Sequence, residues 1–124
     1  MIKQSKRMAK AKAKFKLWLS SEFAEGVFGD GKWRLLEAID AKGSLQAACD
    51  SLGISYRKGW GDLKKAQDFF GASLLNKKRG GIDGGQTQLT EEGKRLIKAY
   101  AAFRRHIEKA VDYSYAKHIR EFLE

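Results

Sequence analysis

The sequence predicts a mainly α-helical domain with a small β wing: a winged helix-turn-helix with a long C-terminal helix. Three stretches carry this expectation. Residues 43–70 hold two short amphipathic helical patterns separated by Gly53, and a short Gly-containing turn between two helices is the local mark of a helix-turn-helix. Residues 74–89 hold two brief extended patterns around a glycine-rich tip. From residue 91 onward one apolar stripe repeats at helical spacing as far as Phe122 without a strong stop signal.

Taken in order, the chain opens with a basic tail. Its first 16 residues carry seven cations (Lys3, Lys6, Arg7, Lys10, Lys12, Lys14 and Lys16) and no acid. Residues 1–13 read either as a tail without ordered structure or as an arm along phosphates. The domain itself is expected over 14–124, one unit by length. In 14–19, Phe15, Leu17 and Leu19 alternate with Lys14, Lys16 and Trp18, the period of a strand. Residues 20–31 read as a glycine-bearing loop with Phe23, Val27 and Phe28 turned inward. Asp30 is expected to cap a helix over 31–42, whose stripe is Trp33, Leu36 and Ile39, widened by Leu35 and Ala38. Gly43 ends it.

Ser44 then caps the first helix of the motif, and Leu45, Ala48 and Leu52 share one face. Gly53 closes that helix, Ile54 plugs the turn, and Ser55 caps the second helix. There, Tyr56, Trp60, Leu63, Gln67 and Phe70 fall on one side, expected to face the body. Arg57, Lys58, Gly61, Lys64, Lys65 and Asp68 fall on the other. Gly59 and Gly61 flank Trp60 and cost helix stability, up to about 1 kcal/mol each. Two readings are open for them: close approach of a DNA backbone, or room for the indole.

After Gly71, Leu74 and Leu75 open a strand that runs through Asn76, Lys77, Lys78 and Arg79. Residues 80–85 form the tip, and Gln86, Thr87, Gln88 and Leu89 return. A nucleotide-binding loop is disfavoured, because no Lys followed by Ser or Thr closes the glycines and no helix begins at them. Thr90 caps the last helix, with Glu91 and Glu92 in the first turn, where the helix dipole favours acids. Its stripe is Leu96, Tyr100, Phe103, Ile107, Val111, Tyr115 and Phe122. This is more apolar length than a domain of this size needs for its own core, and such a stripe usually finds a second chain. Otherwise, the last turns fold back onto the strand at Phe15–Leu19.

The 25 Lys+Arg against 15 Asp+Glu give a net charge of +10 and a pI near 9.8. An anionic partner follows, nucleic acid or a membrane surface. The single Cys49 excludes an intrachain disulfide framework and fits a reducing cytoplasm. No apolar run has the length of a membrane span, and the basic N-terminus lacks the apolar stretch of a signal peptide. An enzyme is not expected. His106 and His118 are twelve apart on a helix and point in different directions; Cys49 has no nearby His or Asp pattern and suits buried packing. Asp62 and Asp68 serve to orient Arg57, Lys64 or Lys65. No catalytic constellation, metal set or cofactor site is expected.

The ordered set resembles the N-terminal DNA-binding domain of the ModE-type molybdenum-dependent regulators, winged-helix relatives of the LysR-type DNA-binding domain. Gly43-Ser44, Gly53-Ile54-Ser55-Tyr56, Trp60, Leu74-Leu75, Arg79-Gly80-Gly81, Gly84-Gly85, Leu89-Thr90, Gly93 and Arg95-Leu96-Ile97 carry the likeness, over roughly residues 14–105. It implies a cytoplasmic, nucleoid-associated, homodimeric transcription factor with one helix in the major groove of a palindromic operator. Molybdate-sensing relatives continue into oxyanion-binding domains after the long helix. This sequence ends at Glu124, so direct sensing is not expected; two readings are open, a stand-alone DNA-binding domain or one that takes its signal from a separate effector-sensing protein.

The expected DNA contacts are Ser44, Ser55, Tyr56, Arg57, Lys58, Gly61, Lys64 and Lys65 in the motif, and Lys77, Lys78 and Arg79 in the wing. Arg57 and Lys58, nearest the helix start, are the expected base readers. The expected dimer interface is Leu17, Leu19, Phe103, Ile107, Val111 and Tyr115. Two other readings remain open: a non-specific architectural nucleic-acid binder, and a protein-interaction module built on the same fold.

Overall fold

A computed structural model describes residues 11–78 and 86–124. They form two compact units: Leu17–Tyr100, and residues 11–16 with Ala101–Glu124.

The first unit begins with β1 (Trp18–Leu19), paired antiparallel with β2 (Phe28–Gly29) in the register Trp18 to Gly29 and Leu19 to Phe28. The strand expected over 14–19 is thus only two residues long. The inward–outward alternation holds, with Phe15, Leu17 and Leu19 half-buried and Lys14, Lys16 and Trp18 exposed. Its partner comes from the stretch expected to be loop. In that stretch Val27 and Phe28 are buried as expected, but Phe23 is 91% exposed. Ser21 explains this. Its hydroxyl accepts from the backbone N–H of Phe23 and of Ala24, making a tight turn that throws the ring outward.

Helix α1 (Asp30–Lys42) follows directly. Asp30 is not its cap; Gly29 holds that position, without a side-chain bond. The Asp30 carboxylate instead accepts from the backbone N–H of Leu17 (3.2 Å) and from the Tyr100 hydroxyl (2.7 Å). Leu35, Leu36 and Ile39 are buried, and the half-buried Trp33 donates its indole N–H to the Ile97 carbonyl.

Gly43, in the left-handed conformation, ends α1 and leads into α2 (Leu45–Leu52). Ser44 caps α2 by accepting from the Ala47 N–H at 3.0 Å. Gly53 makes the second left-handed turn, and α3 (Tyr56–Phe70) begins after Ser55, whose hydroxyl accepts from the Lys58 N–H. The helix-turn-helix therefore stands where the local signals put it.

β3 (Leu75–Lys78) and β4 (Gln86–Leu89) form the antiparallel wing, in the register Leu75 to Leu89 through Lys78 to Gln86. The Thr87 N–H donates to the Gly43 carbonyl, which fastens β4 to the turn before α2. Thr90 caps α4 (Glu91–Tyr115), accepting from the Gly93 N–H while its own hydroxyl donates to the Ser73 carbonyl. Leu96, Ile97 and Tyr100 of α4 close the core over Phe28, Leu36, Ile39, Leu45, Leu63 and Leu74. The Phe28 ring meets Phe70 and Tyr100 edge-on, at 5.4 and 5.2 Å, a favoured aromatic geometry.

In the second unit the later part of α4 continues through a π-helical turn (Ala116–Arg120) and a last helical turn, α5 (Glu121–Leu123). Residues 11–16 run beside it in the opposite sense. The Tyr115 hydroxyl donates to the Ala11 carbonyl at 2.8 Å, and the Arg104 guanidinium lies 4.6 Å over the Phe15 ring. Among the described residues no helix is long and apolar enough to cross a membrane.

Candidate nucleic-acid interface

The candidate site is the outward side of α3 with the wing. What seats α3 is a stripe of Gly59, Leu63, Ala66 and Phe70, the first three fully buried. Gly59 is the closest contact. A Cβ built there would lie 2.4 Å from Cys49 Sγ and 3.6 Å from Leu35 and Leu45. The glycine thus lets α3 cross α2 at backbone distance, with the thiol filling the gap. Burial of Cys49, reinforced by the carboxylates of Asp50 and Asp62, pushes its thiol pKa upward, which keeps it protonated and inert.

This corrects the expected rotation of α3. Leu63, Gln67 and Phe70 do turn inward, but Tyr56 and Trp60 are 43% and 40% exposed. Both readings of the paired glycines miss Gly59, which makes room for Cys49 rather than for the indole or DNA. The signal was present in the sequence: Gly59, Leu63, Ala66 and Phe70 have the spacing 4, 3, 4 of a helical stripe. A glycine and an alanine add little to an apolar count, so the larger aromatics outweighed them.

The remaining sites fall as follows. Ser44 and Ser55 spend their hydroxyl acceptors on caps. Arg57, Lys58, Lys64 and Lys65 are exposed, four cations against Asp62 and Asp68 on the same helix. Lys58 pairs with Asp62 at 3.2 Å, one turn on, in place of the expected Arg57, Lys64 or Lys65. Gly61 has no neighbour within 4 Å of the Cβ it lacks, among the described residues. In the wing, Lys77 and Lys78 pair with Thr87 and Gln86 through the backbone ladder; Arg79 and the tip at 80–85 lie outside the described residues. Sequence reasoning passed over Asn76, Gln86 and Gln88, which are exposed on one side of the wing while Leu75, Thr87 and Leu89 face the core. The two-residue period carried that signal.

Of the expected interface residues, Leu17 and Leu19 pack partly against the core of the first unit. In the second, Phe103 is 42% exposed, and Ile107, Val111 and Tyr115 are half-buried. Among the described residues no cluster of His, Cys, Asp and Glu has the geometry to hold a metal ion.

Comparisons with known proteins give the site its context. No family model matches the chain. The chain is 34% identical over 83 residues to the molybdenum transport protein ModE of Azotobacter vinelandii, covering 67% of this chain and 31% of that protein. It is 32% identical over 93 residues to the transcriptional regulator ModE of Haemophilus influenzae, covering 74% and 36%.

The likeness is to ModE.

It extends to the molybdenum-pterin-binding protein MopB of Rhodobacter capsulatus, at 35% over 75 residues, 60% of this chain and 28% of MopB. The chain spans about a third of the length of these ModE-like relatives. In structure it matches a single-residue variant of Lactococcus lactis ZitR with a TM-score of 0.56 at 16% identity, over 98% of this chain and 82% of that one. That likeness concerns the fold alone, which is a winged helix-turn-helix.

Proposed function

We propose that the chain is a sequence-specific double-stranded DNA-binding transcriptional regulator, corresponding to the N-terminal DNA-binding part of ModE-type proteins. The observation that carries this is α3 itself. It is seated by a compact stripe beginning at Gly59 and leaves Arg57, Lys58, Lys64 and Lys65 exposed. A helix held from behind with cations and donors near its N-terminus suits the major groove. The relatives agree with this; one, in Escherichia coli, is the DNA-binding transcriptional dual regulator ModE.

In this reading Arg57 and Lys58 read base edges, Lys64 and Lys65 hold phosphates, and the wing lysines Lys77 and Lys78, with Arg79, lie on the adjacent backbone or minor groove. Two copies join along Phe103, Ile107, Val111 and Tyr115, so that the operator is a palindrome. The protein works in the cytoplasm on the nucleoid.

Selection of random duplexes by the purified chain tests the reading. Recovery of a two-fold motif is the expected result. Retention without a motif makes the protein an architectural binder, and no retention makes it an interaction module.

A further inference from the structure

We propose that Lys12, Lys14 and Lys16 form a comb that grips the phosphates of duplex DNA, a sequence-independent contact in addition to α3 and the wing. The inference rests on the reading of the chain as a duplex-DNA binder. It gives the end of the basic N-terminal stretch a role that the helix-turn-helix does not supply.

Exposure alternates along this segment. Ala13 and Phe15 are half-buried, while Lys12, Lys14 and Lys16 are exposed, the two-residue period of an extended chain. The three ammonium groups therefore leave one side of the segment, on stems about 6.6 Å apart. One strand of B-DNA advances about 3.4 Å along the axis per phosphate, so the repeat of the row is close to two phosphate steps. The other side of the segment is anchored within its own unit. The Tyr115 hydroxyl donates to the Ala11 carbonyl at 2.8 Å, and the Arg104 guanidinium lies 4.6 Å over the Phe15 ring.

Charge is what the fold leaves unbalanced here. Lys58, Lys94, Arg95 and Arg104 each face an acid on their own helix. Lys12, Lys14 and Lys16 face none among the described residues, although the chain has 15 acids. A soluble tail would spread such like charges apart in water. This segment is instead held at both Ala11 and Phe15, which keeps the three in one row against their mutual repulsion. A row of phosphates relieves that repulsion and releases the counterions condensed on DNA. Because the backbone of the row is already anchored, less ordering entropy is lost on binding than a loose arm would lose.

Salt titrations of the full-length chain, read by anisotropy on its selected duplex and on a scrambled one, test this. The triple variant Lys12→Gln, Lys14→Gln, Lys16→Gln is expected to melt within about 3 °C of wild type, since all three side chains are exposed. Its slope of log K against log salt falls by about 2.7 on both duplexes, about 0.9 per lysine, and Lys14→Gln alone lowers it by about 0.9. The preference for the selected duplex stays within about twofold of wild type. An iron chelate tethered at Lys14→Cys, with the buried Cys49 left unlabelled, cuts the selected duplex at a defined cluster of sites. An unchanged slope in the triple variant, a loss confined to the selected duplex, or no cutting overturns the proposal while the DNA-binding reading stands. So does a triple variant that keeps its DNA slope but loses binding to phosphatidylserine–phosphatidylcholine vesicles, which makes the row a membrane contact. A wild-type chain that retains no duplex removes the DNA-binding reading, and this proposal with it.

Discussion

The hydroxyl of Tyr100 donates to the carboxylate of Asp30 across 2.7 Å, while the backbone N–H of Leu17 donates to the other oxygen of that carboxylate at 3.2 Å. These residues come from the start of α1, the approach to β1 and the middle of α4, so one buried acid joins three distant segments. A charged acceptor that loses a buried donor costs about 1.5–3 kcal/mol. Tyr100→Phe keeps the ring contacts with Phe28 and Trp33 and removes only the donor. Urea titration is expected to show a loss of that size with an unchanged m-value; a loss under about 0.5 kcal/mol would show that the bond adds nothing net.

Gly59 and Cys49 form a second coupled pair. Gly59→Ala forces a methyl to within 2.4 Å of the thiol sulfur, and overpacking of this kind costs about 1–3 kcal/mol. Cys49→Ala removes the sulfur. The double variant is expected to be more stable than the sum of the two single losses, as residues in contact are not additive. Simple additivity in a thermal double-mutant cycle would place the strain elsewhere.

The same thiol gives a pH dependence. Its folded pKa is raised, chiefly by burial, so above the ordinary thiol range near pH 8.5 the unfolded chain releases a proton that the folded chain keeps. The unfolded state then binds fewer protons, and stability falls as pH rises. Wild type is therefore expected to lose stability relative to Cys49→Ala as the pH rises above about 8.5, with the difference constant well below it. Parallel curves throughout would contradict it.

Phosphate and base contacts separate by salt. Neutralising Lys64 or Lys65 is expected to weaken binding to all duplexes alike and to reduce the slope of log K against log salt by about 0.9 per contact. Arg57→Ala is expected to relax one base position, by about 1–3 kcal/mol of discrimination. Equal loss on cognate and random DNA would exclude Arg57 from base reading.

Assembly is tested in the second unit. Ile107→Asp with Val111→Asp puts two charges into the half-buried stripe of α4. Light scattering at micromolar concentration is expected to report a wild-type dimer and a monomeric variant. A wild-type monomer, with and without DNA, ends both the dimer and the palindrome. Each half-site alone is too short to stand out among a genome's roughly million or more competing sites.

How much of this was legible follows from how local each signal is. Ser44, Ser55 and Thr90 cap the helices they precede, since capping is decided within four residues. The wing was readable from Leu75 to Leu89 for a similar reason: two short strands need only each other. β2 was not, because Phe28 and Gly29 become a strand only by meeting Trp18 and Leu19. Asp30 obeyed distant partners over the nearby helix end. The rotation of α3, about 50° or half a residue step, was hidden because its tightest contact is made by a glycine. Periodicity counts apolar side chains, and Gly59 has none to count.

Leu17 and Tyr100 are the first and last residues of the wing-bearing unit, and the Tyr100 hydroxyl lies 2.9 Å from the Leu17 carbonyl oxygen. Start and finish thus meet at a single phenol, and in topological terms the unit is a nearly closed circuit. Chains of that kind can be cut and rejoined, or carried inside another protein through two adjacent junctions, without forcing apart the ends of either fold.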